Sequence, residues 1–136
     1  MRMRLATAAL FSAACMTAPA FGSEFQIEFS WDGLASCTTG NPKTVASPAF
    51  AVKGLPAGTQ VVEFKLTDLD ARSYRHGGGA VGISTDGTVP PGVFKYKSPC
   101  PPNGSHTYVW TATAKDQPGR KGKVLGTAQA SRQYPE

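Results

Sequence analysis

The sequence predicts an all-β protein, specifically an antiparallel β-sandwich with little helix. Several short segments alternate apolar and polar residues with a period of two, which is typical of half-buried strands. Turn-forming pairs such as Asp32-Gly33 and Asp86-Gly87 separate these segments. No window of ten or more residues has the 3.6-residue period of an amphipathic helix. Several short strands with turns between them favour an antiparallel sandwich or barrel.

The predicted strands follow one another along the chain with loops between them. Residues 24–31 alternate strictly, and Phe25, Ile27, Phe29 and Trp31 form their apolar face. The other predicted strands are residues 50–52, 61–67, 80–84, 93–97, 106–114 and 123–130, and the main predicted loops are residues 36–49, 71–79 and 98–105. We assign Trp31, Phe64 and Trp110 to the core, because each lies on the apolar side of an alternating segment.

The first 20 residues have the features of a secretory signal peptide in the usual order. Arg2 and Arg4 precede an uncharged apolar run over residues 5–16, and Ala18-Pro19-Ala20 is a small-x-small cleavage site. The run is shorter than the about 20 residues that a membrane span needs. We therefore expect residues 1–20 to be a cleaved signal peptide and residues 21–136 to be one domain without a transmembrane span. The expected location is the periplasm or the cell exterior.

Two other interpretations of this segment remain open: an uncleaved membrane anchor, and a lipoprotein acylated at Cys15. Under the favoured interpretation Cys15 leaves with the signal peptide, so Cys37 and Cys100 remain in an oxidising compartment. A cysteine pair in such a compartment is more often bridged than reduced, and we predict a Cys37–Cys100 disulfide. No CxxC or Cys/His ligand spacing occurs. We therefore expect no zinc or other metal site, no redox-active cysteine pair and no cofactor.

The charge balance is mildly basic, with a formal net charge of +5 for the whole chain. The lysines and arginines are scattered, and only residues 120–123, beside Pro118-Gly119, are dense in them. Nucleic-acid-binding proteins usually cluster their cations on one face, so we expect no nucleic-acid partner. We interpret residues 120–123 as a solvated turn, with weak attraction to anionic lipid head groups as the alternative.

Polar residues gather at the ends of the predicted strands, where binding groups often lie on a β scaffold. Asp68 and Asp70 follow one strand, His76 precedes a glycine triplet, and His106 and Tyr108 begin a later strand. A histidine near a carboxylate can donate a proton to phosphate, a tyrosine hydroxyl adds a donor, and glycines expose backbone N–H groups. The pattern predicts anion capture, with Asp68 expected only to cap its strand.

Residues 96–110 read Y-K-S-P-C-P-P-N-G-S-H-T-Y-V-W. This run resembles the pattern Y-x-G-P-x-P-P-x-G-x-H-R-Y-x-F/W of the phosphatidylethanolamine-binding protein family (PEBP family), which includes Raf kinase inhibitor protein and bacterial relatives. Residues 68–72 followed by His76 resemble the family's D-P-D-A-P motif, and residues 47–50 and 55–59 resemble its S-P-x-L and P-x-G-T segments. The resemblance implies a PEBP-like β-sandwich whose pocket takes phosphate or a phosphoryl head group. Carried over to this chain, the ligand-binding residues are Asp70, His76, Pro101, Pro102, His106 and Tyr108.

The chain departs from the family pattern near this pocket. Leu69 and Arg72 stand where the family has proline, Thr107 stands where it has arginine, and glycines follow His76 where a tryptophan is expected. Without an arginine at position 107, we expect only modest affinity for bare phosphate.

These observations leave three functions open. The favoured one is an exported, non-enzymatic binding protein for a small anionic or phosphorylated ligand, such as a phospholipid-type head group. An acid/base hydrolase using Asp70 and His106 is less favoured, since no G-x-S-x-G motif occurs and Ser105 points away from His106 on a strand. The third is an inhibitor or partner-binding protein acting through its loops, by analogy with relatives that bind kinases or proteases.

Overall fold

The computed structural model describes residues 24–136, so the predicted signal peptide lies outside the described residues. The described part contains nine strands and no helix. The strands are β1 (Gln26–Glu28), β2 (Thr44–Ala46), β3 (Phe50–Lys53), β4 (Val61–Asp68), β5 (Gly78–Val81), β6 (Gly87–Val89), β7 (Lys95–Lys97), β8 (His106–Lys115) and β9 (Val124–Tyr134). Within this range no helix is present that could cross a bilayer.

The strands form three sheets, and every pairing within them is antiparallel. The largest sheet has the order β5-β4-β8-β9, the second has the order β1-β3-β6, and the third joins β2 to β7. The predicted antiparallel all-β class is therefore confirmed. In the largest sheet, the register places Asp68 at the end of β4 opposite Tyr108 near the start of β8.

The core lies between the three-stranded and the four-stranded sheet. Phe50 of β3 stacks on Phe64 of β4 with ring centroids 4.3 Å apart, and it meets Trp110 of β8 edge-on at 5.2 Å. Phe64 and Trp110 are almost fully buried, and so is Trp31, as the alternation predicts. Offset and edge-on aromatic pairs of this kind stabilise a core beyond the area that they bury.

Several strand boundaries differ from the sequence-based ones. β2 lies inside the predicted loop 36–49, and β9 extends to Tyr134 rather than ending near residue 130. β5 begins at Gly78, inside the predicted loop 71–79, and its first two residues approach neighbouring residues too closely to carry a Cβ. A Cβ at Gly78 would lie 1.8 Å from the Phe64 carbonyl oxygen, and one at Gly79 would lie 2.5 Å from Phe94. The glycine run that indicated a loop therefore forms part of a strand.

The predicted disulfide is confirmed, since Cys37 and Cys100 are bridged with their Cα atoms 4.7 Å apart. The bridge connects the loop after β1 to the Pro-rich loop that precedes β8. Next to it, Gly40 adopts a φ of 80° and packs closely against Pro102, where a Cβ at Gly40 would come within 3.1 Å of the proline side chain. The disulfide loop therefore braces the Pro-rich loop at the start of β8.

Candidate functional site

An aspartate and a histidine meet where β4 ends and β8 begins. His106 Nδ1 lies 2.7 Å from Asp68 Oδ2, and the Asp68 side chain is only 4% exposed while that of His106 is 21% exposed. The antiparallel register of the two strands brings these residues together, since Asp68 stands opposite Tyr108, two positions from His106. The result is a buried carboxylate that holds an imidazole at the surface.

Both oxygens of the Asp68 carboxylate accept hydrogen bonds. Oδ1 accepts from the backbone N–H groups of Asp70 and Ala71 at 2.8 and 3.1 Å, which is the capping role expected from the sequence. Burial acts to raise the pKa of Asp68, but hydrogen bonds with His106, the Asp70 amide and the Tyr108 hydroxyl outweigh it and hold this pKa below its ordinary value. Asp68 is therefore ionised at neutral pH.

The ionised carboxylate fixes the orientation of the His106 ring. Since Asp68 Oδ2 is an acceptor, His106 Nδ1 carries a hydrogen and donates it. The other ring nitrogen, Nε2, is then the atom available to a ligand. A carboxylate that orients an imidazole in this way is a common supporting arrangement at binding and catalytic sites.

Tyr108 is 1% exposed and lies beneath this pair, with its ring 6.2 Å from that of His106. Its hydroxyl is close to the Asp68 carboxylate and the Cys100 backbone amide. Burial first, and then the charge of Asp68 and a hydrogen bond to it, raise the pKa of Tyr108 well above its ordinary value. The hydroxyl is thus neutral and engaged within the protein, so Tyr108 supports Asp68 rather than facing a ligand.

His76 lies on the other side of Tyr108, buried to 3% exposure. Its ring meets Tyr108 edge-on at 5.5 Å, and Tyr74 packs on it at 4.6 Å. Nδ1 donates to the Lys97 carbonyl at 2.7 Å, and burial lowers the pKa of His76 despite that contact. His76 is therefore neutral at pH 7 and serves as a packing element behind the site.

The remaining sequence-predicted residues lie in the loop after β4 and in the loop that precedes β8. Asp70 is exposed, and its Oδ2 accepts the backbone N–H of Thr107 at 2.8 Å, which ties the loop after β4 to β8. Pro101 is fully buried, whereas Pro102 is exposed and packs against Gly40. The two prolines occupy the braced loop that leads into His106.

Asp68, Asp70 and His106 each offer one ligand atom, and these atoms lie within 4.8 Å of one another. The set has the donor types that a divalent cation can use. However, both Asp68 oxygens and one Asp70 oxygen already accept hydrogen bonds from His106 or from backbone amides. A metal ion would have to replace some of these contacts, so the arrangement suits an oriented imidazole better than a metal centre.

The sequence interpretation did not include Asp68 in the pocket. A usable signal was present, because the alternation of β4 puts Asp68 on the same face as Phe64 and Leu66, which are core residues. An aspartate is rarely buried unless it is paired. An acid at an inward-facing strand position therefore indicates a partner, and in this fold the partner is His106.

Comparison with models of known protein families and with curated proteins gives no match, so the resemblance of this chain to the PEBP family stays a prediction.

Proposed function

We propose that the protein is an exported, non-enzymatic binding protein whose pocket beside His106 takes phosphate or a phosphorylated, phospholipid-type head group. The observation that carries the proposal is the 2.7 Å contact between buried Asp68 and partly exposed His106. Protonated His106 presents an Nε2–H that can donate to a phosphate oxygen, and Asp68 compensates the positive charge of the ring. The disulfide is compatible with export, because such bonds persist in oxidising compartments.

The exposed carboxylate of Asp70 adds a second feature to the proposed site at His106. It lies within 4.8 Å of the His106 ligand atom, and an isolated carboxylate at that distance would repel a bare phosphate. A head group that carries both charges avoids this conflict, since its phosphate can accept from His106 while its ammonium group approaches Asp70. Phosphorylethanolamine has this combination, so we expect it to bind more tightly than inorganic phosphate.

An acid/base hydrolase is the second candidate, because an Asp–His pair is also suited to proton transfer. Two contacts favour binding over catalysis. Ser105, next to His106, donates its hydroxyl to the Pro135 carbonyl at 2.7 Å, and the Tyr108 hydroxyl is engaged with Asp68. Within residues 24–136, no serine or cysteine side chain hydrogen-bonds the His106 ring. A hydrolase would therefore have to use water activated by His106.

The test is an NMR titration of the wild-type protein and of His106→Ala with phosphate and with phosphorylethanolamine. We expect shifts at the amides of Asp70 and Thr107, and a roughly tenfold or greater loss of affinity in His106→Ala, since a charge-assisted hydrogen bond is lost. Ser105→Ala is the matched control, because it alters the neighbouring residue without touching the imidazole, and it should bind as wild type.

If neither ligand moves the Asp70 and Thr107 amides, or if His106→Ala binds as wild type, the pocket assignment is wrong. Release of inorganic phosphate from phosphorylethanolamine in the ³¹P spectrum would favour the hydrolase instead.

A further inference from the structure

A groove lined by Lys65, Arg72 and Arg75 runs between β4 and the loop that follows it, and we call it the cationic groove. Its volume is about 670 Å³. Lys65 is exposed, on the opposite face of β4 from buried Leu66 and Asp68. The groove opens on the Lys65 side of the strand, and neither Asp68 nor His106 lines it.

The positive charge of the cationic groove is not compensated by nearby acids. Among the described residues, none of Lys65, Arg72 and Arg75 takes part in an ion pair, and no acid lines the groove. Asp70, on the same loop, points to the Thr107 backbone amide. A concave surface lined by one sign of charge concentrates the electrostatic potential and attracts oppositely charged ligands.

The wall of the groove is held in place by contacts that do not involve its cations. The Leu66 amide donates to the Gly77 carbonyl at 3.0 Å, and the Tyr74 amide donates to the Ala71 carbonyl at 3.0 Å. The Tyr74 ring packs on buried His76. The backbone of the loop is thus held before any ligand arrives, which lowers the entropy cost of ordering it on binding.

The groove also offers neutral donors beside its cations. The hydroxyl-bearing residues Thr67 and Ser73 line it, together with Gly77. Gly77 has a φ of 81°, and apart from the glycine itself and its two chain neighbours no residue comes within 4 Å of the position that a Cβ would take there. Its backbone is therefore open to close approach by an oxyanion.

From these features we infer that the cationic groove is a second anion site, which binds a multiply charged phosphate such as a pyrophosphoryl group. Three cations match a ligand with two or three negative charges, and arginine donates to phosphate oxygens through two parallel N–H groups. A single carboxylate or a monoanionic phosphate diester would leave part of the charge in the groove uncompensated. The inference uses neither Asp68 nor His106, and so it is independent of the proposed function of the pocket.

The test is a titration of the purified protein with inorganic pyrophosphate, followed by calorimetry and by amide shifts. The variant Arg72→Gln/Arg75→Gln removes two positive charges from the groove. The control Arg120→Gln/Lys121→Gln removes two from the exposed β8–β9 turn, at the opposite end of β8 from His106. We expect shifts at Thr67, Gly77 and Gly78, a loss of roughly tenfold or more in the groove variant, and less than about threefold in the control.

Two further measurements distinguish binding at the cationic groove from binding at His106, and a free phosphate ligand from a lipid phosphate. His106→Ala should bind pyrophosphate as wild type does, whatever happens to its affinity for phosphorylethanolamine. Binding to soluble pyrophosphate but not to phosphatidylcholine vesicles containing phosphatidic acid supports a free ligand, and binding to both supports a site that also accepts a lipid phosphate. Equal losses in the two double variants, loss of pyrophosphate binding in His106→Ala, or no binding by wild type would each overturn the inference.

Discussion

Removing the Cys37–Cys100 bridge by a double alanine substitution should destabilise the protein strongly. The cysteines are 63 residues apart in sequence, so the bridge closes a long loop and limits the conformational freedom of the unfolded chain. For a loop of this length the chain-entropy relation gives about 4 kcal/mol of stabilisation. For a domain of this size, that corresponds to a fall of roughly 15 °C in the midpoint of thermal unfolding.

The bridge also lies close to the site, because the Cys100 backbone amide and the Asp68 carboxylate both act on the pKa of the Tyr108 hydroxyl. Cys37 contributes from the other side, since its amide donates to the Tyr134 hydroxyl at 2.8 Å. Loss of the bridge should therefore change the chemical shifts of Tyr108 and His106 under conditions where the variant is still folded.

Urea unfolding followed by tryptophan fluorescence measures the free energy of unfolding directly. Wild-type protein reduced under native conditions is the control, and it should behave like the double variant. A decrease smaller than about 1 kcal/mol, with unchanged Tyr108 and His106 resonances, would refute the reasoning, because the bridge would then constrain neither the unfolded chain nor the site.

Three further predictions concern Asp68, His76 and Gly78. Asp68→Asn should lower the free energy of unfolding by about 2 kcal/mol in urea melts, since the charged acceptor of His106 Nδ1 is lost; an unchanged value would mean that the pair is not formed. Stability should fall on acidification in two stages, measured by unfolding at several pH values. Burial lowers the pKa of His76 in the folded protein. The contribution of His76 to the free energy of unfolding is therefore present above the unfolded-state pKa of about 6.5, and it is lost as the pH falls through the folded-state pKa. The lowered pKa of Asp68 likewise stabilises the folded protein above the unfolded-state pKa of about 3.9, and this stabilisation is lost as the pH falls below that pKa. A free energy of unfolding that stays constant between pH 7 and 3 would contradict both assignments. Gly78→Ala should cost about 3 kcal/mol, because its Cβ would collide with the Phe64 carbonyl, and a variant as stable as wild type would show that β5 can shift away.

The parts of the fold that the sequence predicted well are those in which one face is buried and the other is solvated. β4 and β8 alternate clearly because their inner residues, such as Phe64 and Trp110, pack against the three-stranded sheet. β2 was missed because it is a three-residue strand paired only with β7, and three residues with a half-buried centre are too few to show an alternation in the sequence. Strand pairing that depends on a distant partner leaves little trace in local sequence.

The site was predicted in part for a related reason. The positions of Asp70, His106 and Tyr108 at strand ends indicated where polar groups would gather, and the structure places all three around the start of β8. Their roles depend on burial and register, which the local sequence does not specify. Tyr108 is turned inward with its hydroxyl near Asp68, and the carboxylate that contacts His106 belongs to Asp68 rather than Asp70.

His76 packs against both proposed anion sites, so a substitution of His76 cannot show which of the two sites a ligand occupies. Its ring packs against Tyr74 on the wall of the cationic groove and against Tyr108 beneath the Asp68–His106 pair. Its Nδ1–H and its backbone carbonyl both bond to Lys97, so the residue is fixed from behind as well. Truncating it would leave a cavity that both sites share, and the neighbouring rings would move into it. Loss of binding in such a variant would therefore not identify a ligand contact. Substitutions at His106 and at Arg72 with Arg75 avoid this ambiguity, because these side chains are at least partly exposed and each belongs to one site alone.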